Sequence, residues 1–570
     1  MPDAAIPVPH GAGLELLGPG DLWYKDAVIY ALHVETFQDS NDDGVGDFPG
    51  LTQRVDYLHA LGVTCIWLQP FFPSPRRDNG YDIVDYYGVD PVLGTLGDFV
   101  DFLRVARERG IRVISDLVVN HTSDQHPWFE EARRDRTSPR RDYYVWADEP
   151  PSDAHEGMMF PGVEQSTWTF DEVAGAYYFH RFYRHQPDLN LGNPAVREEI
   201  RKIMGFWLEL GVSGFRVDAA PFLIERKGIQ PLHEEVRRPH TFFRYMRNLL
   251  SWRRGDAALL AEANVPMSEV EEYVGKGDKL HMLFGFHANQ HLFLALATQR
   301  AEPLARAIAQ LPPLPDTAQW ANFLRNHDEL DLGRLAPDER ASVYSAFAPD
   351  AEMQLYSRGI RRRLAPMLGA DRGRLELAFS LMLSLGGTPV LYYGDEIAMG
   401  DDLTLPERDA VRTPMQWSAD ANGGFSPAPA ARLVRPVVSA PGHSPAVTNV
   451  ADQLGDRNSL LNWLRRVISV RATTRELSWG RVEVVPVDAP GVLALRCAWR
   501  GSSLLTLHCL SSDPQTVVLP EAMLRPEGKP GVEVLSDREY GALSLDDRRV
   551  SLDGYGYRWI RHSTSGQARR

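Results

Sequence analysis

Three short stretches of the 570-residue chain each close an apolar run with an acid: Gly214-Phe215-Arg216-Val217-Asp218, Leu260-Ala261-Glu262-Ala263-Asn264 and Arg325-Asn326-His327-Asp328. A buried strand of a parallel barrel reads this way when its C-terminal tip carries chemistry. Cleavage of a glycosidic bond with retention needs two carboxyl groups about 5 Å apart. One attacks the anomeric carbon; the other protonates the leaving oxygen and later deprotonates the acceptor. Any one of these acids alone would serve equally well as a strand-end or cap residue. Three with such neighbours form a set. Arg216 stands two residues before Asp218, so on a strand both side chains point to one face. There the guanidinium is expected to hold the Asp218 carboxylate ionised. Glu262 follows an apolar run, and burial at that place would suit it to general-acid work.

The elements that must position these acids are legible in the alternation of strand-like and helical patterns from about residue 28 to residue 397. Strands are expected at 28–34, 63–69, 113–119, 215–218, 259–262, 282–286, 323–326 and 389–393, with helices such as 96–109 and 194–210 between them. Eight strands alternating with helices predict an α/β fold, a (β/α)8 TIM barrel. No barrel unit fits between His121 and Pro194. That segment is rich in Asp, Arg, Pro and aromatic residues and is too long for a plain loop, so it predicts a subdomain inserted after strand 3, over the barrel mouth. Near the C-terminus, 493–499, 504–510 and 516–519 read as short strands of an antiparallel β-sandwich. The expected division is a barrel over 1–121 and 195–465 with a flexible start at 1–20, an insertion over 122–194, a β domain over 466–562 and a disordered tail at 563–570.

Two more stretches share the form of the first three: Val113-Ile114-Ser115-Asp116-Leu117-Val118-Val119-Asn120-His121 and Gly80-Tyr81-Asp82-Ile83-Val84-Asp85-Tyr86. In this order the five resemble the α-amylase family of retaining glycoside hydrolases and transglycosidases. The resemblance implies Asp218 as nucleophile, Glu262 as acid/base and Asp328 as the group that grips sugar hydroxyls and stabilises the transition state. It implies His121, His327 and Arg216 around the first sugar, with Asp82 and Arg412 pairing to close a blind pocket for one glucosyl unit. Arg412 lies in Val411-Arg412-Thr413-Pro414-Met415-Gln416-Trp417. Further phrases, notably Gly359-Ile360-Arg361-Arg362-Arg363-Leu364-Ala365-Pro366, are similar to the trehalose synthase branch. That branch isomerises maltose to trehalose through a covalent glucosyl-enzyme, with minor hydrolysis. The chain departs from it after Asn264, where Val265-Pro266 replace the usual Gln-Trp, and over 226–254 and 285–291. Those loops would line the acceptor side, so an α-glucosidase or amylase-type hydrolase and a 4-α-glucanotransferase are the alternatives. An inactive sugar-binding or scaffold homologue would have lost the carboxylates that are present here.

Two structural metal sites are expected. Asp39-Ser40-Asn41-Asp42-Asp43-Gly44-Val45-Gly46-Asp47 sets oxygen side chains at alternate positions with glycine at the turn, the front of a calcium loop without its closing Glu. Asp39, Asn41, Asp43, Asp47 and the Val45 carbonyl would hold Ca²⁺ or Mg²⁺; a polar βα turn would look the same. The second site is implied by the resemblance alone: Asn120 and Asp188 with carbonyls near Phe222, Leu223 and Glu225, tying the insertion to the barrel through calcium. No organic cofactor is expected.

A net charge of -15 argues against nucleic acid and anionic membrane surfaces as partners and suits a small α-glucoside substrate such as maltose or a malto-oligosaccharide. The resemblance also implies a homo-oligomer. The first twenty residues lack the basic and apolar regions of a secretory signal, and Cys65, Cys497 and Cys509 show no disulfide spacing, so free thiols and a cytoplasmic address are expected.

Overall fold

The computed structural model describes residues 22–224, 227, 241–520, 523, 531–541 and 548–563. Eight parallel strands close into a barrel in chain order: β1 Ile29–Leu32, β2 Cys65–Leu68, β3 Arg112–Leu117, β4 Gly214–Val217, β5 Ala258–Ala261, β6 Met282–Phe284, β7 Gln319–Phe323 and β8 Thr388–Tyr392. They are short and almost wholly buried, as strands covered on both faces must be. Gly214 has φ +144, and a Cβ there would lie 2.0 Å from the Ala258 carbonyl oxygen, so only glycine lets β4 approach β5 this closely. The helices between strands start and stop on local signals. Leu96–Glu108 opens on a capping box of Thr95 and Asp98, and Pro194–Leu210 opens on the Asn193 cap with proline in its first turn and ends at left-handed Gly211.

One strand is displaced from its expected place. β7 runs Gln319–Phe323 rather than 323–326, and Leu324 to Asn326 form the loop beyond its tip. Polar residues broke the apolar pattern: the Gln319 amide donates to the Ser478 carbonyl at 3.0 Å and the Asn322 amide to the Gly386 carbonyl at 2.5 Å. Long-range partners satisfy what periodicity would exclude from a core strand.

Between β3 and β4 the inserted segment forms a three-stranded antiparallel sheet of Trp146–Ala147, Trp168–Asp171 and Ala176–Phe179. The bridge of His121 to Asp188 binds it back to the barrel, and that of Tyr144 to Leu189 holds the insertion to itself. The C-terminal strands form a five-stranded and a two-stranded antiparallel sheet that share a core including Leu505, Leu507, Val517, Val550 and Ile560. The helix Leu460–Ala472 runs through residue 465, and its Leu464, Val467 and Ile468 belong to the barrel core. The boundary expected there therefore falls inside a helix, and the C-terminal strands begin only at Arg481. Cys65, Cys497 and Cys509 are free and buried. Cys497 pairs with Leu504 across the sheet and Cys509 with Val492, so the two never oppose each other. Among the described residues no helix is long and apolar enough to cross a membrane. The start at 1–20 and, apart from Ser563, the tail at 563–570 lie outside the described residues.

Candidate active site

The strand tips bring Asp218 and Glu262, joined by Asp116, around a single guanidinium at one end of the barrel. Arg216, buried on β4, places Nη1 2.5 Å from Asp218 Oδ1 and 2.8 Å from Asp116 Oδ1, and Nη2 2.8 Å from Glu262 Oε2. Its charged plane lies 5.1 Å over the Trp67 ring, a cation–π contact beneath the ion pairs. Asp218 is 6% exposed. Glu262, just past β5, has a 28% exposed side chain and faces the cavity. Its Oε2 also accepts the Ala219 amide at 3.0 Å. Ala219 reaches that position in a left-handed conformation, φ +48, strain of the kind that over-determined functional turns sustain.

One positive and three negative groups leave the cluster two charges short of neutral if all three acids ionise. Burial pushes Asp116 up to about 6, with Arg216 pulling the other way. Burial likewise pushes Asp218 well above the ordinary carboxylate range, and Glu262 and Asp116 add to it against the pull of Arg216. The Arg216 pairing expected from the sequence is present, and it works against this burial. Asp116 and Asp218 meet the same guanidinium nitrogen, so the charge of each bears on the ionisation of the other.

Asp328, beyond β7, is set differently. Its Oδ1 meets Arg408 Nη1 at 2.8 Å and Arg412 Nη2 at 3.1 Å, and its Oδ2 lies 3.3 Å from His327 Nε2. Burial opposes its ionisation, but the Arg408 and Arg412 guanidiniums, with the His327 ring nitrogen beside them, outweigh it and hold the carboxyl well below the usual range. His327 is itself kept neutral by burial. The Tyr81 hydroxyl donates to Asp116 Oδ2 at 3.0 Å and stands 2.7 Å from His327 Nε2. Its one proton being committed to Asp116, His327 Nε2 must be the donor in that pair. His121 is pushed down to about 4 by burial and stands 3.1 Å from the Tyr81 carbonyl oxygen.

The expected pairing of Asp82 with Arg412 does not form. Asp82 is fully buried and satisfied by its own loop, from the Ser74 hydroxyl at 2.7 Å and the Arg77 amide at 3.1 Å. Arg412 donates instead to the His327 carbonyl at 2.8 Å. The aspartate–arginine pair at the pocket is Asp78 with Arg408, 2.8 Å apart. Arg408 thus bridges Asp78 and Asp328. Sequence reasoning missed it, as it missed Asp116 and Tyr81. Asp116 did leave a signal, a lone acid inside an otherwise apolar strand; Arg408 sits in the irregular turn Glu407–Val411 and left none.

A cavity of about 700 Å³ opens over Glu262, Asn326, Asp328 and Arg408. Its other walls include Phe160, Phe182, Phe222, Val265, Pro266 and Phe286, so two of the three departing stretches, at 265–266 and 285–291, do line it. One rim is a clasp of three chain segments. Tyr183 of the insertion and Tyr356 both donate to Glu407 Oε2, at 2.5 and 2.8 Å, and Phe160 stacks on Tyr183 at 4.3 Å between centroids.

At the 39–47 loop, Asp39 accepts the amides of Asn41, Asp42 and Gly44, and Asp47 accepts Ser40 and caps the next helix through Gly50. Asn41 and Asp43 accept the amides of Asp43 and Val45 in turn, and among the described residues no group of three or more His, Cys, Asp or Glu side chains converges as a metal site would require. At the second expected site Asn120 and Asp188 do meet, but the ammonium of Lys227 lies between them, 2.8 Å from Asn120 Oδ1 and 2.6 Å from Asp188 Oδ2. A calcium ion does not fit beside it. Glu225 lies outside the described residues.

The family model of the α-amylase catalytic domain matches residues 31–360 and 360–480. The chain is 43% identical over 551 residues to a trehalose synthase/amylase of Mycolicibacterium smegmatis, covering 94% of this chain and 92% of that protein. It is 41% identical over 559 residues to a trehalose synthase of Pimelobacter sp., covering 96% and 97%. Among solved structures, the trehalulose synthase MutB superposes with a TM-score of 0.74 at 27% identity over 95% of this chain and all of that one.

Proposed function

The chain belongs to the α-amylase family and is a trehalose synthase-like enzyme, and on that premise we propose that it rearranges maltose to trehalose by intramolecular transfer of a glucosyl unit. Asp218 attacks the anomeric carbon of the non-reducing glucosyl residue. Glu262 gives its proton to the departing oxygen, and a covalent β-glucosyl ester forms with inversion. The freed glucose stays in the cavity and turns. Its anomeric hydroxyl attacks the ester carbon while Glu262 takes the hydroxyl proton back, so a second inversion restores the α configuration and both carboxyl groups return to their starting states. Asp328, held ionised by Arg408 and Arg412, grips sugar hydroxyls and stabilises the oxocarbenium-like transition state, while neutral His121 and His327 offer directed hydrogen bonds.

The observation that carries this reading is the span of one guanidinium across Asp218 and Glu262. One oxygen of each carboxyl lies 2.5 and 2.8 Å from the two ends of that guanidinium, which supports a closely spaced retaining pair, and Glu262 lines the walled cavity. Water exclusion decides between isomerisation and hydrolysis, and the Tyr183–Tyr356–Glu407 clasp favours the former. Ca²⁺ or Mg²⁺ at the 39–47 loop, held by Asp39, Asn41, Asp43, Asp47 and the Val45 carbonyl, would be structural and take no part in the reaction. The test is a proton NMR time course with maltose, using Asp218→Asn as control. A growing α,α-1,1 signal with little free glucose is expected. Glucose alone would replace the proposal by hydrolysis, longer oligosaccharides by transglucosylation, and full activity of Asp218→Asn would remove the catalytic assignment.

A further inference from the structure

We infer that Lys227 is a built-in cation that fastens the inserted sheet to the barrel, in the place where the resemblance implies calcium. Its Nζ meets Asp188 Oδ2 at 2.6 Å, Asn120 Oδ1 at 2.8 Å, and the Leu189 and Asn120 carbonyls at 3.3 and 3.4 Å. Lys227 is 6% exposed, while Asn120 and Asp188 are fully buried. The three protons of an ammonium suffice for such a cage, and its charge directly compensates the buried Asp188 carboxylate. A divalent ion on the same oxygens would stand almost in contact with the ammonium. Like charges at that distance in a buried site exclude each other.

The three groups come from three parts of the chain: Asn120 from the end of β3, Asp188 and Leu189 from the insertion, Lys227 from the segment after β4. Asp188 is fixed on its other side, where Oδ1 accepts the Arg181 amide at 2.9 Å. Its backbone also bridges to His121, whose ring lies 5.1 Å from that of the cavity-wall residue Phe182. Docking of the insertion, and with it the position of His121, is therefore set by a covalently attached charge. It cannot be stripped by a chelator or lost on dilution, as a bound ion can.

Two measurements test this, and neither depends on the substrate. The first is thermal unfolding of the parent and of Lys227→Ala, each in chelator and in calcium. The 39–47 loop is common to both proteins, so the readout is the difference between them. In chelator the variant should unfold several degrees below the parent, because Asp188 is left buried without its counter-charge. Calcium should then raise the midpoint of the variant by several degrees more than that of the parent, since the vacated oxygens become available. Equal midpoints in chelator, or equal calcium increments, would overturn the inference. The second needs no substitution: crystals of the parent grown with terbium are measured for anomalous scattering. A peak between Asn120 and Asp188 would overturn the inference; ordinary light-atom density there, continuous with Lys227, is the result expected.

Discussion

The clasp at the cavity rim allows a quantitative prediction for Tyr183→Phe. Tyr183 lies on the insertion, and its hydroxyl donates to Glu407 at 2.5 Å. Removing it deletes a hydrogen bond to a carboxylate in a half-buried site, worth about 1.5–3 kcal/mol. Tyr356 still holds the same oxygen at 2.8 Å, and the Phe160 stack survives the change, so the lower end of that range applies. About 1.4 kcal/mol is a tenfold change in an equilibrium. The open, water-admitting state should therefore gain about tenfold in population relative to the closed one. If water enters only through that opening, the ratio of glucose to trehalose formed from maltose should rise by about the same factor. Quantitative proton NMR at low conversion measures both products in one sample. The ring remains and the site is remote from Asp218, so the summed rate of glucosyl-enzyme formation should change by less than twofold. An unaltered glucose-to-trehalose ratio, at parental activity and stability, would refute the idea that this clasp excludes water.

Arg408→Met should lower kcat/KM by about 10²–10³-fold, because it leaves Asp78 and part of Asp328 as uncompensated buried charges worth about 3–5 kcal/mol; steady-state kinetics on maltose or an aryl α-glucoside would show it. Gly214→Ala should destabilise the barrel by at least 3 kcal/mol, read from urea midpoints, since its Cβ would meet the Ala258 carbonyl oxygen at 2.0 Å in a backbone region alanine avoids. His508, fully buried against Ser380, has a pKa pushed down from 6.5 to about 3 by burial. The unfolded chain thus binds a proton that the folded one refuses, and the stability His508 contributes is complete above pH 6.5 and lost as the pH falls toward 3. His508→Gln should therefore lose less stability than the parent between pH 7 and pH 4.5, whatever its starting cost; parallel losses in urea titrations at the two pH values would contradict this.

The barrel was legible because each strand writes its own local code. A short apolar run between turn residues needs no knowledge of its neighbours, and seven of the eight strands fall where such runs stand. The exception, β7, carries Gln319 and Asn322, whose partners Ser478 and Gly386 lie far along the chain. The tip acids Asp218, Glu262 and Asp328 were legible for the same reason, each ending its own run. Arg216 and Asp218 on one face follow from strand geometry alone.

What only the tertiary structure decided is the set of partners. Coulomb interactions fall off with distance in space and take no account of separation along the chain. The aspartate that meets Arg408 lies 330 residues away, the aspartate shared by Arg216 lies 100 residues away, and the asparagine that meets Lys227 lies 107 residues away. Asp82 has the motif expected of a pocket residue, yet its own loop satisfies it first. Burial is equally a property of the packed whole, and it pushes the Asp218 carboxyl upward against the pull of its own arginine. The sequence by itself determined which residue types stand at the barrel mouth. The closed sheet decided which of them touch, and contact in a water-poor interior decides charge.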